Sequence, residues 1–237
     1  NLIRNLYISG YDVIHLNFYH ENDIIAVKEV VKNLIGYEII EQEKEYCTIK
    51  DITSENQEDF DIILRKIWRT VTLLGELCLE ELSGKLTEAT HTRIEDLHGD
   101  NSTFASFCRR ILYKQHTITS EKGLDQYIII MFLHMMGRNF YAIHSFLKSA
   151  RCKVKGEVVQ LGEKTLRLFT QLYESFYNSK KDPEKKIKEE ADRLNKEAMA
   201  FLAKDQTQNS VLVHTLAEFI RLVGSTLPKI ELVNFLS

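Results

Sequence analysis

The sequence predicts a mainly α-helical protein, with two tandem antiparallel three-helix bundles preceded by a small α/β cap. Apolar residues recur at spacings of three and four from about residue 58 onward, which is the period of helices packed in a bundle. The first 52 residues instead contain short β-branched and aromatic segments, which are typical of strands. We therefore expect a cap at 1–52, a first three-helix unit at 53–152 and a second at 153–237.

The cap is expected to combine three strands with two short helices. Strand-like segments at 37–39 and 46–49 flank an acidic turn, which predicts a hairpin. Because a short hairpin is not stable by itself, it should pair with the alternating segment VIHLNF at 13–18. Helical spacing before Gly10 and again before Gly36 places one helix on each side of that strand.

The first helical unit should contain helices at about 58–82, 86–114 and 121–150, and the Ser83-Gly84 pair should end the first of them. Its first helix has a regular apolar seam of Phe60, Leu64, Ile67, Val71, Leu74 and Cys78. Asp100 and Asn101 interrupt the corresponding seam of the second helix.

The second helical unit should begin with a helix at about 158–176. Asp182 and Pro183 are a strong start signal for the next helix, since aspartate caps free amides and proline fits the first helical position. A last helix should start near Asn209, and Pro228 is expected to break or kink it, leaving 229–237 as a separate helical turn or two.

Composition excludes several classes of protein. With 44% hydrophobic and 27% charged residues, the chain is an ordinary globular protein. A net charge of -3 and a pI near 6.3 predict no basic surface for nucleic acid. The longest apolar run, at 127–136, is too short to span a bilayer, and no secretory signal is evident. Four cysteines without a CxxC pair indicate reduced thiols, so we expect a cytoplasmic protein.

Motifs of catalysis are not found in the sequence. It contains no glycine-rich phosphate loop, no GxSxG and no HExxH, and no histidine and cysteine cluster has the spacing of metal ligands. Ten glycines also leave few places for a backbone cradle around a nucleotide. We therefore expect that the chain is not an enzyme.

Three phrases make the chain resemble the archaeal branch of the PhoU family, the phosphate-uptake regulators built as two tandem three-helix bundles. They are YISGYDVIHLNF at 7–18, LIGYEIIEQ at 34–42 and CTIKDI at 47–52, followed by the six-helix rhythm. The resemblance implies a non-enzymatic regulator of phosphate uptake or phosphate-responsive transcription, with a transporter ATPase or a sensor kinase as partner. We also expect a homodimer.

Archaeal relatives often carry an AbrB-like DNA-binding hairpin before the cap. Because the chain starts with Asn1 instead of Met, we expect such a module to precede it, so that DNA would be bound only outside this chain. Two alternatives stay open, a metal-binding helical-bundle protein and a dimerisation or sensing module of a transcription factor.

The chemistry of the family centres on a carboxylate-xxx-carboxylate motif that binds divalent or iron-type metal ions in some members. Residues four apart on a helix lie about 5 to 6 Å from each other, close enough to share a cation. Asp96 and Asp100 match this motif, with Glu95 beside them, and are the predicted metal ligands; a solvated acidic helix turn is the alternative.

The family's second carboxylate phrase is missing. At the matching position the chain has HMMGRNF at 134–140, where Arg138 stands in place of an acid. We therefore expect degenerate metal clusters, with Arg138 paired to Asp96 or Asp100. His134 and His144 are interpreted as packed residues, and Arg109-Arg110 as either a partner contact or an internal ion pair.

Overall fold

The computed structural model describes residues 2–20, 22–53, 57–85, 87–150, 152–178 and 184–236. These residues are mainly helical, with a small antiparallel sheet near the N-terminus. The predicted helix starts at Leu86 and at Asp182-Pro183 lie outside them. In chain order the elements are α1 (Leu2–Ile8), β1 (Val13–Asn17), α2 (Asp23–Val31), β2 (Tyr37–Gln42), β3 (Tyr46–Asp51), α3 (Gln57–Leu82), α4 (Glu88–Lys114), α5 (Glu121–Ala150), α6 (Gly156–Tyr177), α7 (Glu184–Leu202) and α8 (Asn209–Phe235).

The sheet has three strands in the order β1-β3-β2, and both pairings are antiparallel. Ile14 of β1 lies opposite Ile49 of β3, which also pairs with Ile39 of β2. The predicted pairing of VIHLNF with the hairpin is thus confirmed. Strand β3 pairs with both other strands, and its Cys47, Thr48 and Ile49 are all buried, whereas the outer strands keep exposed positions.

Arg110 of α4 joins the cap to the helices. Its side chain is 0% exposed and forms ion pairs with Asp12 at 2.8 Å and with Asp51 at 2.6 Å. The guanidinium also donates to the carbonyl oxygens of Tyr7 and Tyr11, each at 2.8 Å. Arg110 therefore forms an internal ion pair and is not available to an outside partner.

Two tyrosine rings and a lysine complete this cluster. The guanidinium carbon of Arg110 lies 4.9 Å from the ring centroid of Tyr7 and 5.1 Å from that of Tyr37. Lys114 contacts both carboxylates, of Asp12 at 2.8 Å and of Asp51 at 3.2 Å. We call these six residues the Arg110 cluster: Tyr7, Asp12, Tyr37, Asp51, Arg110 and Lys114.

The six long helices pack against one another. Helices α3, α4 and α5 each contact the other two, and α6, α7 and α8 do the same. Of all the contacts between described elements, the most extensive joins α5 to α8, and α3 also contacts α6, so the helices form one continuous packed body. Every residue of the seam predicted for α3, from Phe60 to Cys78, is buried.

Asn101 explains the interruption in the apolar seam of α4. It is fully buried, and its amide donates to the carbonyl oxygen of His134 on α5 at 3.1 Å. Gly137, the next turn of α5, gives it room, because a Cβ there would lie 2.2 Å from the Asn101 amide nitrogen. A polar residue thus sits inside the bundle with a hydrogen-bond partner.

The prediction that Pro228 breaks the last helix, with a separate turn after it, was wrong. Helix α8 continues through Pro228 to Phe235. Proline removes one backbone donor, but Leu227 and Ile230 on either side are buried. Because α8 packs against α5, α6 and α7, tertiary burial maintains the helix where local preference would end it.

Among the described helices, α8 is also long and apolar enough to cross a membrane by length and composition. Half of the relevant window is buried inside the protein, which is consistent with a core helix of a soluble protein.

Candidate metal centre

The predicted ligands Asp96 and Asp100 lie on α4 and are both exposed. Burial first, and then the negative charge of Asp96, raises the pKa of Asp100, while Lys66 acts in the opposite direction. The pair is thus an acidic patch beside a lysine, and whether it binds an ion stays a prediction. Within the described residues, no ion pair joins Arg138 to Asp96 or Asp100, contrary to the expected salt bridge.

Glu95, the third predicted ligand, makes its contacts with α5. Its Oε2 accepts a hydrogen bond from the Tyr141 hydroxyl at 2.8 Å, and this bond lowers its pKa. Its Oε1 lies 3.7 Å from the Lys148 amine and 3.9 Å from Nε2 of His144. Glu95 therefore contacts polar side chains of α5, and its role as a metal ligand beside Asp96 and Asp100 stays a prediction.

That group is formed by Glu81 of α3, His91 of α4 and His144 of α5. Each residue offers a ligand atom, and the three atoms lie within 4.8 Å of one another. Glu81 and His144 are buried, with side chains 4% and 1% exposed, and His91 is half-buried. This group could hold a metal ion.

The turn between α3 and α4 brings Glu81 and His91 together. Gly84 adopts a left-handed conformation, with φ of 77°, and its amide donates to the Glu81 carbonyl oxygen. Thr87 then caps α4, as its hydroxyl accepts from the Thr90 amide at 3.2 Å. The end of α3 and the first turns of α4 therefore face each other.

Each of the three residues has one buried polar atom without a hydrogen-bond partner among the described residues. The atoms are Oε1 of Glu81, Nδ1 of His91 and Nε2 of His144. Buried polar groups are nearly always paired, so the open atoms of Glu81 and His91 are consistent with a missing ligand, although open atoms also occur outside this group, as at Oδ1 of Asn101. Nε2 of His144 lies 3.9 Å from Oε1 of Glu95. The one hydrogen bond inside the group joins Nδ1 of His144 and Oε2 of Glu81 at 3.0 Å.

The electrostatics of the group favour a bound cation. Burial raises the pKa of Glu81, and the hydrogen bond and charge of His144, followed by His91 and Lys148, only partly oppose it. The surrounding groups therefore do not fully offset the cost of burying the negative charge of an ionised Glu81. A positive ion beside it would supply the missing charge.

Two imidazoles and one carboxylate form a typical donor set for a first-row transition metal such as zinc or iron. Three protein ligands would leave coordination positions for water. The group resembles neither a calcium nor a magnesium site, since these ions prefer oxygen ligands.

The remaining histidines of this region are packed residues. His98 stacks on Tyr141, with ring centroids 3.9 Å apart, and burial followed by the charge of Arg138 lowers its pKa. The same two causes lower the pKa of His134 to about 4, and its Nε2 lies 3.4 Å from the Ser102 hydroxyl. The interpretation of His134 as a packed residue fits this environment.

Sequence reasoning missed Glu81 and His91 and interpreted His144 as packing. One signal was present, because Glu81 and His91 stand on opposite sides of the Ser83-Gly84 turn, where antiparallel helices must meet. His144 could not be found in this way, since only the packing of α5 decides which of its turns lies beside that corner.

Comparisons with protein-family models, with curated proteins and with solved structures find no match for this chain. The resemblance to the PhoU family therefore depends on the phrases quoted above and stays a prediction.

Proposed function

We propose that this chain is a non-enzymatic regulator of phosphate uptake or of phosphate-responsive transcription, which acts in the cytoplasm through protein partners. The observation that carries the proposal is the order of packing. A cap is followed by α3–α5, which pack among themselves, and by α6–α8, which do likewise. This order is compatible with two tandem three-helix units at 53–152 and 153–237, the architecture that the PhoU resemblance implies.

The Arg110 cluster supplies a route for the signal. A partner that moves α4 would also move Asp12 and Asp51, because both carboxylates are paired with Arg110 of that helix. Strand β3 ends at Asp51, so the displacement would reach the sheet. In this proposal a transporter ATPase or a sensor kinase binds the helices, and the cap transmits the bound state.

The test is affinity capture of the full-length protein from its native cells, grown in high and in low phosphate. Recovery of a phosphate-transporter ATPase or a sensor kinase in only one of the two conditions would support the proposal. The second growth condition is the control for proteins that adhere regardless of phosphate. Recovery of specific promoter DNA without either protein would contradict it and favour a dimerisation or sensing half of a transcription factor.

The solution mass, measured with and without phosphate or partner, further distinguishes a regulator that acts through protein partners from a dimerisation module of a transcription factor. The chain has a mass of 27.6 kDa, and both readings include a homodimer. A mass of twice this value that does not respond to phosphate or partner favours the dimerisation module. The other alternative, a metal-binding helical protein, is favoured by the group of Glu81, His91 and His144.

A further inference from the structure

We propose that Glu81, His91 and His144 bind one divalent first-row transition metal ion of the zinc or ferrous type. This site differs from the predicted Asp96 and Asp100 pair. It does not depend on the regulatory role proposed above, because its evidence is the geometry of the side chains alone.

The distances require only a small contraction. Neighbouring ligand atoms of a tetrahedral zinc ion lie about 3.4 Å apart, given metal-ligand bonds near 2.1 Å. Nδ1 of His144 and Oε2 of Glu81 are already 3.0 Å apart, so an ion can replace the proton that they share. The three ligand atoms lie within 4.8 Å of one another, and a small movement of half-buried His91 would close this gap.

Glu95 is placed to accept a hydrogen bond from His144 when His144 binds the ion. When His144 binds the ion through Nδ1, its Nε2 carries a proton and needs an acceptor. Oε1 of Glu95 lies 3.9 Å from this nitrogen, and the Tyr141 hydroxyl holds the other oxygen of Glu95 in place. A carboxylate behind a metal-binding histidine fixes the orientation of the ring and strengthens the ligand.

The ion would link three helices at one end of α3–α5. Glu81 lies at the end of α3, His91 in the first turns of α4 and His144 in the second half of α5. Since the unfolded chain does not hold these residues together, the metal adds its binding free energy to the folded state. Bound metal should therefore raise the thermal stability of the protein.

The experiment is a titration of the chelator-treated 237-residue chain with Co²⁺, which reports nitrogen and oxygen ligation by visible absorption. Zn²⁺ should displace the bound Co²⁺, and Mg²⁺ should not. We expect one Co²⁺ per chain. Loss of an outer partner alone lowers metal affinity 10- to 100-fold, so we expect a loss of at least about 100-fold for His91→Ala and for Glu81→Gln.

The matched control is the double variant Asp96→Asn and Asp100→Asn on the same helix, which should bind Co²⁺ as the wild type does. A wild type without saturable absorption would overturn the proposal. So would a control variant that loses binding while His91→Ala retains it. Should His91→Ala fail to fold, Glu81→Gln decides, because its side chain has nearly the same shape and keeps a polar contact for His144.

Discussion

The two ends of α4 both hold buried polar side chains, yet they differ in how these are partnered. Near the C-terminal end, Arg110 contacts two carboxylates, two backbone carbonyl oxygens and two tyrosine rings. Near the N-terminal end, His91 stands beside Glu81 and His144, and each keeps one buried atom without a partner. The same helix thus presents a satisfied polar cluster and an unsatisfied one.

The difference separates a structural role from a binding role. A fully partnered buried ion cluster rigidifies a junction and is costly to disrupt. An incompletely partnered cluster reduces stability until something binds it. If this distinction is right, removal of a charge should be damaging at the Arg110 cluster and nearly harmless at Glu81 in the metal-free protein.

The largest effect is expected for Arg110→Met. The change leaves the Asp51 carboxylate, 2% exposed, without its main partner, and removal of one member of a buried ion pair costs about 3 to 5 kcal/mol. Chemical denaturation measures this loss. Arg69→Met, at an exposed position of α3, is the control and should stay within about 0.5 kcal/mol of the wild type. If Arg110→Met lowered the free energy of unfolding by less than about 1 kcal/mol, the contrast between the Arg110 cluster and the Glu81 group would not hold.

A smaller effect is expected for Asp51→Asn, and it should depend on pH. Burial opposes the ionisation of Asp51, but hydrogen bonds from Thr53, Arg110 and Lys114 outweigh it and lower its pKa from 3.8 to about 2. The carboxylate therefore stabilises the fold above the unfolded pKa, by about 2 kcal/mol, and this contribution disappears as the pH falls to about 2.

The measurement is the free energy of unfolding of wild type and Asp51→Asn between pH 7 and pH 2. The two curves should lie apart at pH 7 and approach each other below about pH 4. A constant difference over the whole range would mean that the variant loses packing and not a charge interaction.

The smallest effect is expected for Glu81→Gln in the metal-free protein. Because burial raises the pKa of Glu81, its ionised form costs stability once the pH rises past that pKa, and a neutral glutamine avoids the cost. The variant should be as stable as the wild type or more stable by up to about 1 kcal/mol at pH 7.

Thermal unfolding with chelator and then with Zn²⁺ checks this result. Relative to the wild type, the variant should lose its advantage as the pH falls through the pKa of Glu81, which burial raises above its ordinary value, because Glu81 is then protonated as well. Zn²⁺ should stabilise the wild type alone and reverse the order. If the Glu81→Gln variant were strongly destabilised with chelator, Glu81 would have a structural role like that of Arg110 and not a binding role.

Most of the elements could be predicted from local pattern. The apolar seam from Phe60 to Cys78 correctly predicted helix α3. The pairing of the alternating VIHLNF segment with the hairpin was predictable because the sequence offered only one strand partner nearby. The predicted break at Pro228 was wrong. Local preference favours a break there, whereas the packing of α8 against its neighbours keeps the helix continuous.

The two polar clusters could not be predicted in this way. Arg110 and Asp51 are 59 residues apart, and His144 and Glu81 are 63 apart. No periodic pattern links such positions, since their contact depends on how helices and cap are packed. The carboxylate motif drew attention to Asp96 and Asp100 because spacing within one helix is all that a sequence displays directly.

The long separation within the Arg110 cluster has a consequence for synthesis on the ribosome. Asp51 leaves the ribosome 59 residues before Arg110, which takes roughly 3 to 12 s at ordinary rates of translation. During that time the central strand of the sheet ends in a carboxylate without its arginine, and α4 does not yet cover the cap. The N-terminal segment should therefore complete its folding late, after α4 has emerged, although it is made first.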